Sequence, residues 1–210
     1  MAPSVNKTIK NVIFDLGRVL YTFYPKDYML TLGLSAQEAD QILGNPQVAQ
    51  LWNEYDRGMY TRSSLIDTLV EKFPNHAGLI RQLLSDDFIA QVINPIPASV
   101  DFFYQVKAQG YKVYILSNIF ADGIAHLIGR DAFLSEADGI IASAHYQCLK
   151  PDRAIYQILL DKYHLVPEES VFIDDSLPNI EGAKALGIHG IHFTSLDDCK
   201  MQFANITLSG

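Results

Sequence analysis

Five short apolar runs punctuate this chain, and the segments separating the later ones have helical periodicity. Asn11–Leu16, Lys112–Asn118, Gly139–Ser143, Ser170–Asp174 and His189–Phe193 each read as a buried strand. Ahead of the second run, Ala98–Gln109 carries Val100, Phe103, Tyr104 and Val106 at helical spacing and stops at Gly110, a natural residue just past a helix end. Arg153–Tyr163 puts Ala154, Ile155, Ile158 and Leu159 on one face, and Pro178–Leu186 stops at Gly187. Strands alternating with helices imply a parallel sheet joined by right-handed crossovers, so the expected fold class is α/β.

The first two strands break this alternation. From Thr22 to Asn94 there are helix signals and no convincing strand. Ser35-Ala36-Gln37-Glu38 is a capping box whose helix can end at Gly44. Asn45-Pro46 supplies an N-cap with proline in the first turn, opening a helix to roughly Arg57 before Gly58. Thr61 caps another that stops near Phe73-Pro74, and Asn75 is expected to cap the next. Asn94-Pro95-Ile96-Pro97 reads as a stiff return. The expected organisation is a discontinuous core, residues 1–21 and 95–210, with an all-helical cap at 22–94 over the sheet's edge.

Composition removes several alternatives. The 210 residues are 49% hydrophobic and 19% charged, enough to bury a core without disulfides or a structural metal. The net charge of −8, with no basic run, argues against a nucleic-acid or anionic-membrane partner. Apolar runs are strand-sized, well short of a membrane span, and the opening MAPSVNKTIK lacks the apolar centre of a secretory signal. Cys148 and Cys199 lie far apart and form no metal or redox pattern, so they are expected as free thiols in a reducing compartment. His189 and His192 are three apart in a strand and point to opposite faces. A cytoplasmic, zinc-free monomer or homodimer is expected.

In an open parallel sheet, ligands bind beyond the carboxyl ends of the strands. The first strand runs into Asp15, then Leu16-Gly17-Arg18. The second ends in Ser117-Asn118. Lys150-Pro151 follows the third, and the fourth ends in Asp174-Asp175 with Asn179 four residues on. Three carboxylates on one rim repel one another unless a cation neutralises them, and an oxygen-only ligand set favours Mg²⁺. Lys150 and Ser117 can then hold phosphoryl oxygens, with backbone amides after Asp15 adding to the cradle. A carboxylate beside a metal-bound phosphorus is a nucleophile.

Phe14-Asp15-Leu16-Gly17, Leu116-Ser117-Asn118, Lys150-Pro151 and Asp174-Asp175-x-x-x-Asn179 together resemble the four ordered motifs of the haloacid dehalogenase superfamily. Lys150-Pro151-Asp152…Ile155-Tyr156 and Asn179-Ile180-Glu181-Gly182-Ala183…Leu186-Gly187 are similar to phrases of the subfamily whose helical cap follows the first motif. The resemblance implies a Rossmann-like three-layer core, Mg²⁺, and hydrolysis of a small-molecule phosphate ester through an aspartyl-phosphate. It makes Asp15 the nucleophile and a metal ligand, with the Gly17 carbonyl and Asp175 as further ligands and Asp174 beside the metal. Asn179 then lies behind the metal ligands, Ser117 and Asn118 bind the phosphoryl group, and Lys150 bridges it to Asp15.

One position departs from the pattern. Most phosphatases of the superfamily carry a second Asp two residues after the nucleophile, which protonates the leaving oxygen; here it is Gly17. General acid–base help contributes roughly 10²–10⁴-fold. A phosphatase can persist on positioning and charge neutralisation, and Asp-Leu-Gly in the first motif resembles a branch with glucose-1-phosphatases, so a sugar phosphate is the substrate expected. A regulatory protein that kept the fold and lost turnover is the alternative. A haloacid dehalogenase is the weaker reading, since Asp174 and Asp175 would repel a substrate carboxylate.

Trp52-Asn53-Glu54-Tyr55-Asp56-Arg57-Gly58 resembles the corresponding stretch of the sugar-phosphatase branch. Arg57 is a candidate for a second anionic group, Glu54 or Asp56 for sugar hydroxyls, and Trp52 for substrate binding or for a cap–core aromatic pair with Tyr55. Arg18 is expected against substrate or a cap carboxylate, and Tyr21, Phe23 and Tyr24 at the mouth of the site or in the hinge. His145 and Cys148 read as loop residues.

Overall fold

A computed structural model describes residues 9–208; the first eight of the opening residues read for a signal lie outside them. The chain begins with β1 (Asn11–Phe14) and β2 (Tyr21–Phe23). Six helices follow: α1 (Pro25–Thr31), α2 (Ala36–Leu43), α3 (Pro46–Asp56), α4 (Arg62–Lys72), α5 (Ala77–Leu83) and α6 (Phe88–Val92). After β3 (Ile93–Pro95) come α7 (Pro97–Ala108), β4 (Lys112–Ser117), α8 (Ala121–Arg130) and β5 (Gly139–Ala142). The remainder is α9 (Arg153–Tyr163), β6 (Ser170–Asp174), α10 (Leu177–Lys184), β7 (His189–His192) and α11 (Leu196–Leu208).

The five expected strands form one parallel sheet, ordered β5-β4-β1-β6-β7. β1 lies between β4 and β6, with Phe14 opposite Ile115 and Ile173, so the three strands end level. Alternation within each strand feeds two apolar layers. Val12, Phe14, Val113, Ile115, Val171 and Ile173 pack on the side of α7 and α11. Ile13, Tyr114, Leu116 and Phe172 pack with Ile155, Leu159 and Ile180 of α9 and α10. The result is the three-layer Rossmann-like core. Both cysteines are free and buried, and no helix among the described residues is long and apolar enough to cross a membrane.

The helical segment follows its caps. Glu38 N donates to Ser35 Oγ and Ser35 N to the Glu38 carboxylate, closing the capping box of α2. Asn45 Oδ1 accepts from Gln47 N at 2.9 Å at the head of α3, and Thr61 Oγ1 from Ser64 N at 3.2 Å at the head of α4.

Three features differ from expectation. Asn75 does not cap a helix: Pro74–His76 forms a single 3₁₀ turn that runs into α5 with no side-chain cap. The ends of the segment are not plain linkers either. β2 and β3 pair antiparallel, Thr22 opposite Asn94, and Ile96 N donates to Leu20 O at 2.8 Å. Three-residue strands carry too little alternation to read from sequence. The third is α8, whose Ile124 and Leu127, about one turn apart, are buried and pack into the core although no helix is expected there.

Candidate active site

The level ends of β1, β4 and β6 bring together residues far apart in sequence. Asp15 follows β1, its amide donating to Ile173 O at 2.9 Å. Ser117 closes β4 and Asp174 closes β6; both are buried. Lys150 comes from the loop ahead of α9. Its backbone is tied to Asn118 twice: Lys150 N donates to Asn118 Oδ1 at 2.8 Å and Asn118 Nδ2 to Lys150 O at 3.0 Å. The Asn118 carboxamide thus braces the Lys150 backbone at the rim.

Lys150 Nζ lies 2.8 Å from Asp15 Oδ1, 2.6 Å from Asp174 Oδ2 and 3.0 Å from Leu116 O. The Lys150 and Asp174 side chains are 1% and 0% exposed. Burial works against the ammonium, but the two carboxylates outweigh it and hold its pKa above the usual lysine range. Asp174 has both oxygens engaged, Oδ1 by Ser176 N at 2.8 Å and both by Asn179 Nδ2 at 3.0 and 3.1 Å. Burial pushes the Asp15 carboxyl up to about 6; Lys150 opposes the shift and Asp174 adds to it. Asp175 is raised by burial and by Asp174, with Arg18 opposing at 3.6 Å. Arg18 therefore faces the core carboxylate, not one in the helical segment.

One oxygen from each of Asp15, Asp174 and Asp175 lies within 4.8 Å of the others. Three carboxylates against one buried ammonium leave this rim short of positive charge, and the donors are all oxygen. That set fits a hard divalent cation. Since Asp174 is saturated by Lys150, Asn179 and Ser176, Asp15 and Asp175 are the carboxylates better placed to bind one directly.

Above the rim lies a small pocket walled by Gly17, Ser117, Asn118, Ile119 and Phe120 from the sheet side, and by Phe23, Trp52 and Asp56. A Cβ on Gly17 would meet nothing within 4 Å, so the space over that residue is open. The Asp56 carboxyl faces the backbone N–H of Phe120 and is pushed up to about 7, by burial first and by Asp15 besides. Tyr55 stacks on Phe120 with centroids 4.5 Å apart, and Trp52 meets both rings edge-on at 5.8 Å. Tyr55 Oη donates to Asp122 Oδ1 at 2.6 Å, and Arg62 Nε to Asp122 Oδ2 at 2.8 Å.

The other expectations divide. Arg57 faces Asp152 at 3.9 Å, away from this pocket. Tyr21 packs on Phe133 and donates to Asp131 Oδ2 at 2.9 Å; Phe23 lines the pocket; Tyr24 is exposed. The sequence offers Asp56 only for hydroxyl binding and does not reveal that its half-buried carboxyl is raised over the rim. Its signal was adjacency to Gly58, which sets the end of α3 against the core.

Residues 9–187 match the haloacid dehalogenase-like hydrolase family, and the chain belongs to it. The sesquiterpene phosphatase astK of Aspergillus oryzae is 28% identical over 195 residues, 91% of this chain and 94% of that protein. The drimenol cyclase drtB of Aspergillus calidoustus is 26% identical over 202 residues, 94% of this chain but 36% of the cyclase, so this chain spans about a third of that relative. Among solved structures, a HAD family enzyme of Bacteroides thetaiotaomicron, in complex with magnesium and inorganic phosphate, superposes with a TM-score of 0.74. It is 20% identical over 93% of this chain and 98% of its own. The L-2-haloacid dehalogenase of Xanthobacter autotrophicus gives a TM-score of 0.66 at 17% identity, over 94% of this chain and 83% of that one. At such identities the likeness is one of fold.

Proposed function

We propose that the protein is a Mg²⁺-dependent phosphatase that hydrolyses a small phosphate monoester through a phosphorylated Asp15. The observation that carries this reading is the Asp15–Lys150–Asp174 array beside Ser117: a buried carboxylate, an ammonium and a hydroxyl at one strand-end rim. Membership of the hydrolase family and the similarity to a sesquiterpene phosphatase support it.

In this reading Asp15, Asp175 and the Gly17 carbonyl hold Mg²⁺, with Asp174 behind them. When bound, the ion neutralises the carboxylates and the phosphoryl charge. Ser117 and Lys150 orient the phosphoryl group. Asp15 attacks phosphorus as the bond to the ester oxygen breaks, and Asp56 gives its proton to that oxygen, so an alcohol leaves. The Asp56 carboxylate then takes a proton from water as the water oxygen attacks phosphorus. The phosphorus–Asp15 bond breaks, inorganic phosphate departs, and both carboxyl groups are restored. Residues 22–94 act as the cap and residues 1–21 and 95–210 as the catalytic core, with Asp56 the cap's chemical contribution.

The sugar phosphate expected from Trp52–Gly58 draws little support from these contacts, because Arg57 faces Asp152 and Asp56 faces Phe120. The test is phosphate release from a panel of sugar, nucleotide, aryl and prenyl monophosphates, with Mg²⁺ and with chelator. Mg²⁺-dependent release that disappears in Asp15→Asn is expected. Silence across the panel would favour the regulatory reading.

A further inference from the structure

The helical segment holds a partly open apolar hollow. A cavity of about 590 Å³ lies among α1–α5, within the range of pockets that hold small organic ligands. Its walls are apolar, with Met29, Ile42, Val48, Leu69, Ile80 and Leu84 among them. Five polar residues reach its boundary, Glu38, Gln41, Asn45, Asn53 and His76, and two of them are committed to helix ends. Glu38 closes the capping box of α2, and Asn45 Oδ1 caps α3. The cavity is partly open to solvent, so its apolar walls meet water that an occupant of the right shape would displace. Water is a poor occupant where it finds few partners.

The position of the hollow says which end of an occupant it takes. Phe23 and Trp52 belong to its wall and also to the wall of the small pocket over Gly17 and Ser117. Trp52 stands between them, edge-on to Phe88 at 5.7 Å on the cavity side and to Phe120 at 5.8 Å on the catalytic side. A ligand whose anionic head sits among Asp15, Ser117 and Lys150 would reach the larger cavity past these two shared rings. We propose that the substrate is an amphiphilic phosphate monoester, its head at Asp15 and its long hydrocarbon tail lodged in the hollow between α1 and α5. This deepens the phosphatase reading and rests on it. The tail chemistry required is that of an alkyl or prenyl chain.

Two measurements test it separately from that reading. The first is kcat/KM with Mg²⁺ for n-alkyl phosphates from butyl to decyl, for a prenyl phosphate and for glucose 1-phosphate. Each methylene transferred to an apolar site is worth roughly fourfold, so a rise of at least tenfold from butyl to decyl is expected, with the sugar phosphate poorest. Whether decyl or prenyl phosphate leads distinguishes a linear from a branched tail. Val48→Phe and Ile80→Phe each place a ring in the cavity, and each is expected to reduce the decyl-to-butyl ratio toward one. The second uses Trp52, the single tryptophan of the chain. Its emission is expected to shift when decanol, which has no phosphate to hydrolyse, is titrated into wild-type protein. Turnover of aryl and sugar phosphates with no dependence on tail length and no decanol response would overturn the tail site and leave the phosphatase standing. A decanol response with no ester hydrolysed would overturn the phosphatase and, with it, the assignment of a substrate.

Discussion

The ammonium of Lys150 lies closer to Asp174, at 2.6 Å, than to Asp15, at 2.8 Å, and Asp174 has no exposed surface. Asp174 thus acts as the fixed anchor that aims Lys150 at a carboxylate with room to react. Removing the ammonium leaves two carboxylates facing each other. Breaking a buried pair on one side costs about 3–5 kcal/mol. Lys150→Met should therefore lose turnover and unfold at clearly lower denaturant at pH 8. The deficit should shrink toward pH 5, as Asp15 takes up a proton. Lys150→Arg should not restore activity, because a planar fork cannot replace a point charge in so enclosed a site. Equal deficits at both pH values would contradict this account.

The raised carboxyls make a pH prediction with a definite sign. Asp15 titrates near 6 and Asp56 near 7 in the folded chain, against 3.8 for a free aspartate. Between these values the folded state binds more protons than the unfolded, so stability falls as pH rises. As far as these two groups are concerned, metal-free protein should hold its full stability below about pH 4 and lose it steadily as the pH rises to 7. Lys150 does not contribute in this window, since its raised pKa matters only above the ordinary lysine range. Asp56→Asn should flatten the upper part of the decline and Mg²⁺ the lower part. Urea melts at pH 4, 5.5 and 7, with Mg²⁺ and with chelator, measure both.

Most of what positions this rim was legible in the sequence. The strand ends are apolar runs terminated by Asp15, Ser117 and Asp174, a signal strong enough to register three strands against one another. The capping residues Ser35, Asn45 and Thr61 fixed their helices for the same local reason. What stayed hidden is set by tertiary approach. The β2–β3 ribbon is too short for a pattern, and Asn118 becomes a brace for Lys150 only because β4 and the loop before α9 meet. Residues 22–94 were legible through their caps and breaks alone, and only the packing brings the apolar residues of α1–α5 round one cavity.

If Asp56 supplies the proton that Gly17 has no side chain to give, its value depends on the leaving group. Asp56→Asn should lower kcat/KM by about 10²-fold or more for alkyl phosphates, whose alkoxides need a proton, and far less for dinitrophenyl phosphate. Gly17→Asp has open space for its side chain. In the Asp56→Asn background it should restore alkyl phosphate turnover at least tenfold. A uniform loss across leaving groups would assign Asp56 to positioning alone.

Gly58 gives the most direct test of how the helical segment is seated. Its φ is +80°, and a Cβ there would lie 2.3 Å from Ala144 O, a backbone atom with no rotamer in which to retreat. Ser143 Oγ, next to that contact, donates to Asp56 O at 2.5 Å, so the same turn fixes the end of α3 and the carboxyl above the rim. Gly58→Ala adds left-handed backbone strain of about 1 kcal/mol to the clash. The turn must lift from the core, carrying Asp56 with it. A fall in Tm of about 5 °C is expected, with a loss of kcat/KM that, like that of Asp56→Asn, is greater for alkyl than for dinitrophenyl phosphate. Met59→Ala, at the exposed neighbour, should change stability by no more than about 0.5 kcal/mol. If Gly58→Ala lowers Tm while leaving-group selectivity stays that of wild type, then the seat of α3 supports the fold but does not place the proton donor.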